Sequence, residues 1–140
     1  MTTFQSLIES AGSKRLVEVE VSLLPGMPQT HFIGLPDSAM RESVTRLRAA
    51  FRAAGFQWPS RHQLLINLKP AYVRKSSQGL DLALALAILN QTGQLDPSFF
   101  DQLPLKSTSK IVAYAELGLQ GEVITPSDAS RLPLNEMTDA

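Results

Sequence analysis

Cysteine is absent from the 140 residues, which excludes a disulfide framework and any thiolate metal site. Histidine occurs only at His31 and His62, too few for a His-rich metal centre. Long apolar runs are missing as well. The longest, Leu82–Leu89, falls far short of the roughly 20 residues a membrane-spanning helix needs. The opening MTTFQSLIESAGSKR has no basic region followed by an apolar core, so it does not read as a signal peptide. These absences give the expectation of a cytoplasmic protein that neither crosses nor enters a membrane. No G-x-x-x-x-G-K-[ST] stretch occurs, and hence no Walker A phosphate cradle. Gly12-Ser13-Lys14 is only a fragment of one, lacking the first glycine and, on this reading, a preceding strand.

What is present is an ordinary globular composition, 44% hydrophobic and 19% charged, long enough for one domain with its own core. The net charge is zero but unevenly spread. Eight of the thirteen basic residues lie between Arg41 and Lys75, against the single acid Glu42. Such a local positive surface points to an anionic partner or an acidic neighbouring domain.

Along the chain, Phe4–Ala11 reads as a short helix closed by Gly12. Leu16–Leu23 alternates Val17, Val19, Val21 against Glu18, Glu20, Ser22, a half-buried strand whose glutamates line a solvated face. Pro25-Gly26-Met27-Pro28 makes a turn, and Gln29–Leu35 a second strand, antiparallel to the first. Pro36-Asp37-Ser38 announces a helix running to about Ala54 and ending at Gly55. Its apolar stripe is Met40, Val44, Leu47, Phe51 and Ala54. Arg41, Arg48 and Arg52 fall on one line of another face, with Thr45 between them. That row is either a solvated face, with Glu42 pairing to Arg46 at i+4, or a phosphate- or subunit-contacting surface.

Trp58 reads as core packing beside the helix end rather than a base-stacking platform. Leu64–Leu68 reads as a buried strand, followed by a loop carrying Lys69, Arg74 and Lys75. Leu80–Asn90 is an apolar, buried helix with Asp81 in its first turn, placed to cap backbone N–H groups. Asp96-Pro97-Ser98 starts a short helix. Lys110–Glu116 reads as a strand, joined through Gly118-Leu119-Gln120-Gly121 to Glu122–Thr125 as a hairpin. The order β-β-α-β-α-β-β predicts an α/β (α+β sandwich) domain over residues 1–125, a mixed sheet with packed helices. Residues 126–140 form a polar tail or the truncated end of the domain.

The residues now carry a resemblance. Val17-Glu18-Val19-Glu20-Val21, Leu24-Pro25-Gly26-Met27-Pro28 and Phe32-Ile33-Gly34-Leu35-Pro36-Asp37 resemble the start of the magnesium-chelatase-like AAA+ ATPases, the ComM/YifB competence-protein family. Arg41-Glu42-Ser43, Arg46-Leu47-Arg48-Ala49-Ala50, Asn67-Leu68-Lys69-Pro70-Ala71, Gly79-Leu80-Asp81-Leu82 and Ala85–Leu89 continue the pattern in order, and Gly118–Gly121 fits its hairpin. The resemblance implies the family's N-terminal domain, similar to the Lon proteolytic domain with its ribosomal-protein-type β-α-β fold.

A Lon-type peptidase pairs a nucleophilic serine with a lysine. On that pattern the nucleophile position falls on Gly79, which has no side chain, and Glu122–Ala140 contains no lysine to serve as the partner. Ser76 and Ser77, with Lys75 adjacent or Lys110 as a candidate base, are out of register. The resemblance therefore implies no catalytic residues, and no cofactor or metal in this chain, ATP and Mg belonging at family level to an AAA+ module outside it. It also implies subunits of the same family as partners, in a homo-oligomer. The contact residues toward DNA or a neighbouring subunit are then Arg41, Arg48, Arg52, Lys69, Arg74 and Lys75.

Overall fold

A computed structural model describes residues 2–10, 13–34, 39–69, 79–101 and 109–125. The chain runs through β1 (Thr2–Ser10), β2 (Ser13–Pro25), β3 (Gln29–Ile33), α1 (Ala39–Ala54), β4 (His62–Lys69), α2 (Asp81–Gln91), α3 (Pro97–Asp101), β5 (Ser109–Val112), β6 (Glu116–Leu117) and β7 (Val123–Ile124). Five strands form one mixed sheet in the order β3-β4-β2-β1-β5, and β6 and β7 form a separate hairpin. The α/β expectation holds. The carboxy-terminal tail, residues 126–140, lies outside the described residues.

The first element corrects the sequence reading: Phe4–Ala11 is not a helix. Thr2–Ser10 is a strand paired antiparallel with β2 and parallel with β5. Phe4, Leu7 and Ile8 sit at helical spacing only by coincidence. As a central strand β1 is covered on both faces, so Phe4, Gln5, Ser6, Leu7 and Ile8 are all buried and the period of two disappears. A strand therefore does precede Gly12-Ser13-Lys14, but β2 follows it where a phosphate loop would lead into a helix.

β2 keeps its alternation, with Val17 and Val19 buried against the helices and Glu20 exposed. β3 runs opposite in direction to β2, as expected, but does not pair with it. β4 lies between them, antiparallel to β2 and parallel to β3. Thus β3-α1-β4 is a parallel pair joined by a crossover helix, with β3 at the edge of the sheet.

α1 and α2 cover one sheet face, and the core gathers Val17, Val19, Leu64, Ile66 and Leu68 from the strands with Met40, Leu47, Phe51, Leu84 and Ile88 from the helices. The buried stripe of α1 is rotated from the expected one: Ser43 and Ala50 are inside and Ala54 is exposed. α1 ends as expected at Gly55, whose φ of 85° favours glycine. Gly55 N–H donates to Arg52 O (3.2 Å) and Phe56 N–H to Phe51 O (2.8 Å), while the Phe51 and Phe56 rings meet at 6.1 Å. The paired bonds satisfy the Phe51 and Arg52 carbonyls near the helix end, and the ring contact closes the turn beside them. Trp58 packs edge-on to Phe51 at 5.2 Å, the core role expected of it.

α2 is buried along most of its length, as its composition predicts. Beyond it, the Gln94 amide clasps the backbone of Gln57, accepting from its N–H and donating to its carbonyl, each at 2.8 Å. That bond pair ties the α1–β4 connection to the end of α2. Asp96 starts α3 by accepting the Ser98 N–H at 2.9 Å.

The strand expected over Lys110–Glu116 is broken. After β5, Ala113 N–H still reaches Gln5 O, but Ala115 N–H turns to Gly79 O and Ala115 O accepts from Leu82 N–H. These bonds to the start of α2 swing the chain out of the sheet and into the β6–β7 hairpin. Its turn is closed by Gly118 N–H to Glu122 O (2.9 Å) and Gly121 N–H to Gly118 O (3.0 Å).

Candidate functional site

The basic residues between Arg41 and Lys75 separate into distinct environments once placed. α1 turns Arg41, Arg48 and Arg52 to solvent, and none of the three has an acidic partner among the described residues. Arg41 and Arg48, two helical turns apart, share an open groove of about 530 Å³ with Val44 and with Thr30, His31 and Phe32 of β3. One wall of the groove is thus a helix face and the other the outer edge of the sheet.

Lys69 is not free in the same way. Its Nζ lies 3.1 Å from Glu20 and 3.5 Å from Glu18, both on β2 beside the end of β4. The hydrogen bond to Glu20 raises the lysine above its ordinary value against some desolvation. Partial desolvation pushes the Glu20 carboxyl up, but hydrogen bonds from Lys69 and from Asn67 (2.7 Å) outweigh it and leave it below the usual carboxylate range. The glutamates of the alternating strand therefore do more than face solvent: they partly neutralise one of the expected contact residues. Arg74 and Lys75 lie outside the described residues.

Arg46 also differs from the expectation. Instead of pairing with Glu42, it reaches across to α2. Its Nε and Nη2 each lie 3.1 Å from an oxygen of Asp81, and Nη2 also donates to Ser43 Oγ at 3.0 Å. Asp81 is fully buried and additionally accepts the Leu117 N–H of β6 at 3.1 Å. Hydrogen bonding to that carboxylate lifts the guanidinium further above its already high ordinary value, over an opposing desolvation. The capping role assigned to Asp81 is thus corrected: Leu80 occupies the cap position, with no side-chain cap bond. Spacing along one helix cannot reveal a partner 35 residues away. The signal available was the acid itself, standing in an otherwise apolar helix.

Gly79 lies at the start of α2 with a φ of 85°. Its carbonyl accepts from Ser6 Oγ (3.1 Å) and Ala115 N–H (3.0 Å). A Cβ placed on Gly79 would collide with the Tyr114 ring, over which the Lys14 ammonium also lies, 5.6 Å from the ring centroid. A side chain here therefore meets both an unfavourable backbone and an occupied space. Ser76 and Ser77 lie outside the described residues. Among the described residues no three His, Cys, Asp or Glu side chains gather as a metal site, and no helix is long and apolar enough to cross a membrane.

Comparison with known proteins adds to this geometry. Residues 18–133 match the family described as subunit ChlI of Mg-chelatase, a span that runs past the β6–β7 hairpin. Over 108 residues the chain is 34% identical to competence protein ComM of Haemophilus influenzae, covering 77% of this chain and 19% of that protein. An uncharacterized protein of Mycobacterium tuberculosis (strain H37Rv) is likewise 34% identical over 108 residues, 77% of this chain and 20% of its own length. The YifB protein of Escherichia coli is 29% identical over 113 residues, 81% of this chain and 22% of YifB. The chain thus spans about a fifth of the length of these relatives.

Proposed function

The chain belongs to the magnesium-chelatase-like family of ComM and YifB, and from that premise we propose that it serves as a non-catalytic, Lon-like domain that aids ring assembly and contacts DNA without reading its sequence. The observation that carries the DNA contact is the exposed row Arg41, Arg48 and Arg52, without an acidic partner among the described residues, set apart from Arg46 and Lys69, whose charges are engaged within the fold. Guanidinium groups on a helix surface hold phosphates as forks or point charges, and such contacts position a duplex without distinguishing bases. Arg74 and Lys75 extend the same proposal beyond the described residues.

The non-catalytic part rests on Gly79. A serine at that position would need room that Tyr114 occupies and a backbone conformation that favours glycine. The residues present do not fit ATP with Mg, since the 140 residues contain no Walker A loop. ATP-dependent work is then assigned to another part of a longer cytoplasmic assembly, acting in DNA processing or competence.

The test is fluorescence anisotropy with labelled single-stranded and duplex DNA across a salt series. Binding should fall linearly in log salt, and three phosphate contacts on duplex DNA give a slope of about −2.7. Arg41→Glu, Arg48→Glu and Arg52→Glu together should abolish it. Absence of binding at low salt overturns the DNA contact.

A further inference from the structure

The groove beside Arg41 and Arg48 has a second property that charge alone does not describe: one of its walls is an open strand edge. Among the described residues β3 is hydrogen-bonded on one side only, to β4. Its five residues, Gln-Thr-His-Phe-Ile, contain no proline and no charged side chain, the usual devices that stop another strand from pairing with an edge. The three central residues Thr30, His31 and Phe32 line the groove itself. The register with β4 puts His31 and Ile33 on the sheet face away from the helices, where Ile33 is 50% exposed. Thr30 and Phe32 face the side on which α1 carries its arginines.

We infer that this groove is a strand-addition site, in which an extended acidic segment of a partner protein pairs with β3 and places its carboxylates against Arg41 and Arg48. Charge complementarity selects the occupant. A strand added outside β3 presents alternate side chains to the α1 side, spaced about 6.7 Å apart. Two guanidiniums about 10.5 Å apart along the helix are within reach of carboxylates with that repeat, given the length of arginine side chains. The opposite face of the added strand lies beside His31 and Ile33 and takes apolar residues. Backbone bonds supply affinity and the alternating side chains supply selection. The groove volume, about 530 Å³, is in the range of sites that enclose a small ligand or a few residues of chain.

The inference uses two of the three arginines proposed to meet DNA, but it does not depend on DNA binding. Arg52 separates the two, because it belongs to the helix row and not to the groove lining. The experiment is fluorescence polarisation of the 140-residue chain with a labelled peptide of alternating Glu and Val, blocked at both ends. Controls are the Lys/Val peptide and the Glu/Val peptide N-methylated at alternate residues. Binding to the Glu/Val peptide is expected, with at least about a tenfold loss on N-methylation and on the double change Arg41→Ser, Arg48→Ser. The Lys/Val peptide should not bind. Arg52→Glu should weaken DNA binding while leaving the peptide unaffected. Equal binding of the N-methylated peptide, or no binding of the Glu/Val peptide up to about 1 mM, overturns strand addition. Peptide binding without DNA binding refutes only the DNA contact, and DNA binding without peptide binding refutes only this inference.

Discussion

Replacing Arg46 with alanine removes the only cation that, among the described residues, touches the completely buried carboxylate of Asp81. Among the described residues Asp81 receives three hydrogen bonds of about equal length, two from Arg46 and one from the Leu117 amide. Without the guanidinium, Leu117 alone remains among the partners described for it, and the buried charge is left uncompensated. Removing one member of such a pair costs about 3–5 kcal/mol. Arg46 keeps 24% of its side chain exposed, so water can enter where it stood and the cost lies toward the lower end. An unfolding entropy of about 2.1 cal/mol/K per residue gives about 0.3 kcal/mol/K for this chain, so the fall in Tm is about 10–17 °C. Thermal melts followed by circular dichroism measure it. Asp81→Ala and the double variant complete a cycle, with a coupling of at least about 1.5 kcal/mol expected between the two positions. A fall below about 2 °C for Arg46→Ala, or strict additivity of the two changes, refutes the view that this pair joins α1 to α2.

Other outcomes follow from the same geometry. Gly79→Ser should destabilise by about 2–4 kcal/mol in denaturant titrations, combining a left-handed backbone penalty with overpacking against Tyr114, and should confer no peptidase activity. Adding Tyr114→Ala should recover part of that loss; full tolerance of Gly79→Ser alone would contradict the crowding. Gly55→Ala, where an added Cβ meets nothing, should cost only the backbone term of about 1 kcal/mol. Glu20 and Asp96 are both held below their ordinary values, Asp96 by the Ser98 amide. Depressed carboxyls bind protons more weakly when folded, so their stabilisation is present above the ordinary values of 4.5 and 3.8 and is lost as pH falls through the lower folded ones. Melts between neutral and acid pH should show the decline, and Glu20→Gln with Asp96→Asn should flatten it.

The elements legible in the sequence were those whose burial is one-sided or nearly complete. α1 declared itself by a stripe, α2 by its length of apolar residues, and β2 by strict alternation. The exposure of Arg41, Arg48 and Arg52 was readable from helical geometry alone. β1 was not legible, because burial on both faces erases the alternation that marks a strand. The place of β3 was hidden for a different reason: nothing in Gln29–Ile33 states that β4, far later in the chain, will come between it and β2. The same distance concealed the partners of Lys69 and Arg46. Lys69 looked free and Arg46 looked paired with its helix neighbour Glu42, until a strand or helix from elsewhere brought another acid beside each.

The sheet order has a consequence for the chain as it is synthesised. β2 can pair with β1 as soon as both have emerged, but its other edge waits for β4 while residues 26–61 are still being made. At about 5–20 residues per second that interval lasts about 2–7 s. Throughout it the nascent hairpin shows an unpaired strand of valines, the kind of edge that captures other chains. Glu18 and Glu20 stand in that strand as like charges that repel a second copy of itself. When β4 arrives, Lys69 meets both glutamates at its last residue. The acids that guard the unfinished sheet become part of its finished surface.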